Sequence, residues 1–146
     1  MITLPKSARA VLEGPALAHL VTINPDGSPH VTVVWVGLDG DHIVSAHIVW
    51  PGVAQRKLTN LRRDPRVALS LEAGTKDDIG MWEYLVVRGR SEVVEGGAPE
   101  LLQRLAYTYI GPDVGRYPAI DDPPPGFVNR ITPEHIGGNG PWSRGE

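Results

Sequence analysis

Two adjacent cations, Arg56 and Lys57, lie where the sequence predicts the first turn of a helix. A helix N-terminus carries unpaired N–H groups and roughly half a positive charge, so acidic residues are normally favoured there. A bound anion removes this conflict, and phosphate is held readily by backbone N–H groups together with Arg and Lys side chains. The pair therefore indicates a site for a phosphorylated cofactor.

The helix that carries this pair is predicted over residues 53–63, and it ends there because Asp64 precedes a proline. At about 100° per residue, one face of the helix is apolar and Lys57 lies at its margin. That face comprises Val53, Ala54, Leu58 and Leu61, whereas Arg56, Asn60 and Arg63 form a separate polar stripe. The general alternative for such a stripe is a solvated basic face with no ligand.

The length of 146 residues fits a single domain spanning 1–146, with a core large enough to fold unaided. The balance of 14 basic and 17 acidic residues does not favour a nucleic-acid partner. The absence of cysteine excludes disulfides and a thiolate nucleophile. No apolar run has the length of a membrane span or a signal peptide, so we expect no membrane insertion and a cytoplasmic location.

The remaining elements are mostly short strands separated by turns. Helices are predicted at 7–12 and from Pro99 to about Tyr109, and Gly89 is predicted to mark a bend or bulge within a long strand. Strands are predicted at 17–23, 31–35, 43–48, 66–72, 82–95 and 127–132, the first three forming a meander. This order predicts a mainly β protein, a β-barrel with α-helical additions, because barrel closure removes exposed strand edges.

Metal and hydrolase chemistry are not favoured. His42 and His47 alternate to opposite faces of one predicted strand, and no His-Glu-x-x-His sequence occurs among the five histidines. Ser45 lies outside any Gly-x-Ser-x-Gly sequence and has no evident base. We therefore predict no metal site and name no catalytic residue.

The turns and the basic pair occur in a recognisable order. The pieces are Asp26-Gly27-x-Pro29, Val34-Trp35, Asp39-Gly40, Arg56-Lys57-x-x-Asn60-Leu-Arg-Arg-Asp-Pro65 and Gly138-Asn-Gly-Pro-Trp142. Together they resemble the pyridoxamine-phosphate-oxidase-like split-barrel family over most of the chain. Within it, the sequence is most similar to the branch of probable coenzyme F420-dependent reductases of actinobacteria.

The resemblance implies a homodimer of split barrels, each of about six or seven antiparallel strands, with a flavin or deazaflavin at the subunit interface. Arg56 and Lys57 would bind the cofactor phosphate, and Gln55 stands where some members have another basic residue. The other implied cofactor-binding residues are His30, Thr32, Val34, Ser45, Ala46, His47 and Asn60. The alternating set Val31, Val33 and Trp35 would then pack inside the barrel.

The implied activity is hydride transfer from reduced F420 to a conjugated small-molecule acceptor, with FMN as the alternative cofactor. Such a cofactor brings its own redox chemistry, so the protein mainly positions it. His47 or Tyr107 would be a proton donor if either faces the ring, Trp50 would shape substrate access, and segment 118–126 would act as a lid. The alternatives are an FMN-binding oxidoreductase of the same fold and a non-catalytic protein that binds cofactor or a tetrapyrrole.

Overall fold

The structure, a computed structural model, describes residues 1–50 and 55–145. Within these ranges the helices are α1 (Lys6–Glu13), α2 (Arg56–Arg63) and α3 (Ala98–Tyr109), and a short 3-10 helix spans Pro141–Ser143. The strands are β1 (Ala18–Ile23), β2 (Pro29–Val34), β3 (Gly37–Asp39), β4 (His42–His47), β5 (Arg66–Lys76), β6 (Trp82–Glu95) and β7 (Phe127–Asn139).

The strands form one antiparallel sheet in the order β2-β1-β5-β6-β7-β4-β3. Its two edge strands, β2 and β3, are consecutive in the chain and are joined only by Trp35 and Val36. So short a link requires the sheet to curl until its edges meet. The predicted mainly β barrel with helical additions is therefore confirmed.

The predicted three-strand meander is wrong. β1 and β2 do form a hairpin, but β4 pairs with β3 and β7 and not with β2. The short strand β3, which the sequence reading placed in a turn, takes the expected place of β2 beside β4. Because β2 and β4 share no ladder, the barrel is split between them.

The alternation of β2 is also opposite to the expected one. Val31 and Val33 are 57% and 53% exposed, whereas Val34 belongs to the buried core. His30 and Thr32 pair with the buried residues Thr22 and Leu20, and paired residues share a face of a sheet. The face of His30, Thr32 and Val34 therefore points into the barrel, and the prediction that Val31 and Val33 pack inside is wrong.

Two strands are longer than predicted. β5 continues through Lys76, and β7 runs to Asn139, so the C-terminal stretch that contains Gly137 and Gly138 is partly strand. Trp142, just beyond β7, packs into the core and donates its indole N–H to the carbonyl of Gly137 at 2.8 Å. The tail therefore closes part of the barrel interior.

The bulge predicted at Gly89 is confirmed, because the β6–β7 register shifts between Arg88 and Gly89. A side chain at this position would overlap the carbonyl oxygen of Thr132 on β7. Glycine is therefore required by the close approach of two backbones.

Helix α2 covers the end of the barrel where β1 ends and β5 begins. It ends at Arg63 as predicted, Leu58 and Leu61 are buried, and it packs on β1 and β6. The predicted helical residues 53 and 54 lie outside the described residues. None of the helices in the described ranges is long and apolar enough to cross a bilayer.

Candidate functional site

Among the described residues, the split between β2 and β4 leaves two strand edges without partners. β3 pairs with residues 42–44 of β4, so in this part of the chain the stretch from Ser45 to His47 is paired on its β7 side alone. Within the same ranges, β2 likewise pairs only with β1. Unpaired backbone N–H and C=O groups on both edges are available to hydrogen-bond a planar ligand. The split is therefore the candidate binding groove.

A buried polar cluster lies at the end of β4. His47 is 6% exposed, and its Nε2 atom is 2.9 Å from Nδ2 of Asn129 and 3.3 Å from Oγ of Ser45. An amide nitrogen only donates, so Nε2 accepts and the ring proton lies on Nδ1. Burial, and then the positive charge of Lys57, lowers the pKa of His47 to about 3. The imidazole is therefore neutral at physiological pH.

Lys57 is a cation without a counterion among the described residues. It is partly buried in the first turn of α2, and burial lowers its pKa. Among the described residues, no carboxylate forms an ion pair with it, and its nearby titratable neighbour His47 is neutral. Partial burial of an unpaired ammonium is unfavourable. A ligand anion at this place would relieve that cost.

Arg56 lies at the exposed side of the same turn, and its charge contributes to lowering the pKa of Asp26 after the larger effect of hydrogen bonds from Ser28. The first turn of α2 contains no acidic residue and no side-chain N-cap. Gln55, which precedes it, accepts hydrogen bonds from the backbone of Leu58 and Thr59 through its carbonyl. Within the described structure, the N–H groups of Arg56 and Lys57 and both cationic side chains thus remain available to an anion.

The helical wheel predicted that Asn60 shares a polar stripe with Arg56 and Arg63. In the structure Asn60 is instead buried, with 1% of its surface exposed. Its Nδ2 donates to Thr22 Oγ1 and to Asn24 Oδ1, each at 3.1 Å. Its hydrogen bonds are therefore made inside the protein.

The structure brings the predicted site residues together in part. His30 and Thr32 face inward at one edge of the groove, Ser45 and His47 face inward at the other, and Arg56 and Lys57 lie on α2 beside them. Val34 packs in the core, and Ala46 alternates to the opposite face of β4 from its neighbours. Tyr107 is 49% exposed on α3, and Trp50 is 44% exposed beyond the end of β4.

Two residues of the site were missed by sequence reasoning. Asn129 on β7 lies opposite Ser45, and Thr22 on β1 holds Asn60; both are fully buried. Asparagine is depleted in strands, so an Asn within a predicted β run was the available signal. Asn129 Oδ1 and Thr32 Oγ1 are buried without a hydrogen-bond partner in the described structure. Such orphaned atoms mark places where a ligand or water completes the site.

The proline-rich segment after α3 is anchored to that helix. The backbone N–H of Tyr117 donates to Gln103 Oε1 at 2.8 Å, and the Tyr117 ring lies 5.3 Å from that of Trp35. At its far end, Gly126 lies against the carbonyl of His47. The segment therefore connects α3 with the β4 end of the groove. No group of three or more His, Asp or Glu within the described ranges is arranged to hold a metal ion.

Comparison with known proteins adds the family context. Residues 4–139 match the family described as Pyridoxamine 5'-phosphate oxidase. Among solved structures, an F420 reductase is 27% identical with a TM-score of 0.70, covering 92% of this chain and 98% of its own. A conserved hypothetical protein from Mycobacterium tuberculosis is 28% identical with a TM-score of 0.69, covering 94% and 85%.

A FAD-binding protein from Mesorhizobium loti is 20% identical with a TM-score of 0.59, covering 88% of each chain, and so shares the fold. No protein of curated function matches the sequence significantly.

Proposed function

We propose that this chain, which belongs to the pyridoxamine 5'-phosphate oxidase family, is a coenzyme F420-dependent reductase acting on a conjugated small molecule. The family and the resemblance to an F420 reductase support a flavin- or deazaflavin-binding oxidoreductase. The observation that carries the proposal is Lys57, a partly buried cation in the first turn of α2 without a protein counterion among the described residues. The phosphodiester of F420 is the anion that we assign to it.

The residues present fit such a cofactor. Arg56, Lys57 and the free N–H groups of α2 would hold the phosphodiester, as helix N-termini generally hold phosphate. The unpaired edges of β2 and β4 would hydrogen-bond the polar rim of the ring. Beside them, the hydroxyl of Thr32 and the carbonyl oxygen Oδ1 of Asn129 are buried polar groups without partners in the described structure. When bound, the reduced deazaflavin supplies the hydride. This chain therefore has to bind the cofactor, orient its ring and exclude water.

His47 is assigned a binding role and not that of a proton donor. Its pKa of about 3 keeps the imidazole neutral, and its Nε2 already accepts from Asn129. Because the imidazole beside Lys57 is neutral, it does not compensate the positive charge of the ammonium group, which can then bind an anionic ligand. The buried contacts of Ser45 and Asn129 then fix the ring at the floor of the groove.

A homodimer is part of the proposal, and the outer face of the sheet supports it. Val31 and Val33 on β2 and Trp82 and Tyr84 on β6 are all large exposed side chains, with values from 47% to 63%. The pairing registers place all four on the outer face of one sheet. The strands β1 and β5 lie between the two pairs and expose His19 and Glu72 on the same face. Large exposed apolar side chains grouped on one face of a sheet usually mark an interaction surface. Because β2 also borders the groove, a second copy seated here would form one wall of the cofactor site.

Fluorescence titration with F420 and with FMN tests the cofactor site. Each of Arg56→Ala and Lys57→Ala should weaken F420 binding roughly ten- to a hundredfold, the range of a charge-assisted hydrogen bond. Arg62→Ala is the matched control, because it removes the same charge from the exposed far half of α2, where the guanidinium lies over Phe127. Unchanged binding in both test variants would refute the anion site.

The same titration separates the alternatives. Tighter binding of FMN than of F420 would favour an FMN-dependent oxidoreductase of this fold. Binding of F420 without turnover of any conjugated acceptor by the reduced cofactor would favour a carrier role.

Light scattering tests the dimer. Val31→Asp and Val33→Asp place charges in the proposed interface and should shift the protein to monomer with loss of cofactor binding. Ile110→Asp is the control, since Ile110 is similarly exposed, at 54%, but follows α3 away from this face. A wild-type protein that is monomeric at micromolar concentration would contradict the proposed assembly.

A further inference from the structure

Asn60 is a polar residue on the buried face of α2, where the other buried residues are leucines. It is 1% exposed, between the buried residues Leu58 and Leu61. Burying an amide is unfavourable unless its hydrogen bonds are satisfied, so a buried asparagine on a helix requires an account. In the described structure its side-chain partners are Thr22 on β1, Asn24 in the turn that follows it, and Arg63 on α2.

The contacts of Asn60 connect α2 to the β1–β2 hairpin. Nδ2 donates to Thr22 Oγ1 and to Asn24 Oδ1, both at 3.1 Å, and Oδ1 accepts from Arg63 Nη2 at 3.2 Å. Arg63 also donates to the carbonyl of Ile23 at the end of β1. Both amide hydrogens of Asn60 are therefore used within the protein, and neither is left for a ligand.

Asn24 is itself fixed by the turn that follows β1. Its backbone N–H donates to the carbonyl of Ser28 at 2.8 Å, and its Nδ2 donates to Ser28 Oγ at 3.2 Å. Asp26 accepts from the backbone and the side chain of the same Ser28. One acceptor of Asn60, Asn24, is thus held by the hydrogen bonds of the turn, and the other, Thr22, lies on β1.

Apolar contacts and hydrogen bonds place different constraints on a helix. Leu58 and Leu61 hold α2 against the barrel, but apolar contact is not directional and tolerates rotation and sliding. Hydrogen bonds require defined distances and angles. α2 has only eight residues, and no side chain caps its N-terminus. On the buried face of α2, the hydrogen bonds of Asn60 are the directional side-chain contacts within the described structure.

We infer that Asn60 is a positioning residue, which sets the rotation and the height of α2 and thereby places Arg56 and Lys57 over the groove. Lys57 lies three residues before Asn60, and Arg56 lies four before it, so both are on adjacent positions of the preceding turn. A small rotation of α2 about its axis would move both cations away from a fixed anion. This inference rests on the proposed anion site and assigns Asn60 an indirect role in it.

The measurement that isolates this role is the phosphate increment, which we define as the ratio of two dissociation constants. The numerator is that of the deazaflavin ring with its ribityl chain but no phosphate, and the denominator is that of F420. Loss of overall stability changes both constants alike at temperatures where the variants stay folded. Misplaced cations weaken the binding of F420 but not that of the phosphate-free ring, and therefore lower the ratio.

Three variants disturb the bonds of Asn60 without touching Arg56 or Lys57. Asn60→Leu keeps a similar volume but removes both donors without adding a charge, Thr22→Val removes one acceptor, and Asn24→Ala removes the other. We expect each to lower the phosphate increment at least threefold and to change the affinity for the phosphate-free ring less than twofold. Should Asn60→Leu fail to fold, the two acceptor variants still decide the question.

Leu71→Ala is the control for general destabilisation, because Leu71 is 1% exposed in the core and lies on β5, where it faces Ala18 and not α2. It should lower the melting temperature and leave the increment unchanged. An unchanged increment in the three test variants would overturn the inference while leaving the anion site intact. An increment near one in the wild-type protein would overturn both.

Discussion

The buried imidazole of His47 should make the protein acid-sensitive in a defined way. Histidine has an ordinary pKa of 6.5 in the unfolded chain, whereas burial and the charge of Lys57 lower the pKa of folded His47 to about 3. Between these values the unfolded state binds one more proton than the folded state, so the free energy of unfolding falls as the pH falls below 6.5. Each pH unit is worth about 1.4 kcal/mol.

From pH 7.5 to 5.0 this contribution should amount to about 2 kcal/mol, since about 1.5 of those pH units lie below the ordinary value. The figure is unchanged as long as the folded-state pKa lies below about 4. Urea unfolding followed by tryptophan fluorescence measures it, in wild type and in His47→Gln, which removes the titrating group. The difference between the two unfolding free energies should shift by about 2 kcal/mol over that range, to the disadvantage of wild type at low pH.

His135→Gln is the matched control, because it makes the same exchange at an exposed histidine on β7. A shift of the same size in this variant would show that burial of the imidazole is not the cause. A constant difference for His47→Gln would refute the reasoning, because it would mean that folded His47 takes up a proton as readily as the unfolded chain does.

Two further substitutions test the bulge and the electrostatics of the turn beside α2. Gly89→Ala should destabilise the protein by more than about 2 kcal/mol in urea unfolding, because the added carbon overlaps the carbonyl of Thr132. The control Gly137→Ala, with open space around the added carbon, should cost much less. Equal losses of unfolding free energy in the two variants would contradict this account. Asp26→Asn should strengthen binding of a phosphate-bearing cofactor about two- to fivefold, more so at low salt, because the neighbouring carboxylate competes for Arg56. Weaker binding in a fluorescence titration would show instead that Asp26 matters through the turn.

Much of the fold follows from local patterns. The bounds of β6 from Trp82 to Glu95, the end of α2 before Pro65 and the break at Gly89 agree with the sequence reading, because each depends on neighbouring residues. Strand pairing depends on contacts between distant parts of the chain. The meander was therefore predicted wrongly, and the short strand β3 was missed.

The burial of β2 shows why alternation alone was insufficient. Val31 and Val33 are apolar but exposed, so hydrophobicity predicted the wrong inner face. A valine that packs in a core and a valine on an unpaired outer face have the same side chain. The pairing of Thr32 with Leu20 decides between the two faces, and that pairing is a property of the sheet.

By itself the sequence determined the family, the barrel class and the position of two cations at the start of a helix, because these are matters of residue order and spacing. Only the tertiary structure decided that Lys57 is partly buried beside a neutral His47, that Asn129 completes the cluster and that Asn60 points into the protein. The physical reason is that burial and hydrogen bonding arise between elements far apart in the chain, where spacing along the sequence carries no information about distance.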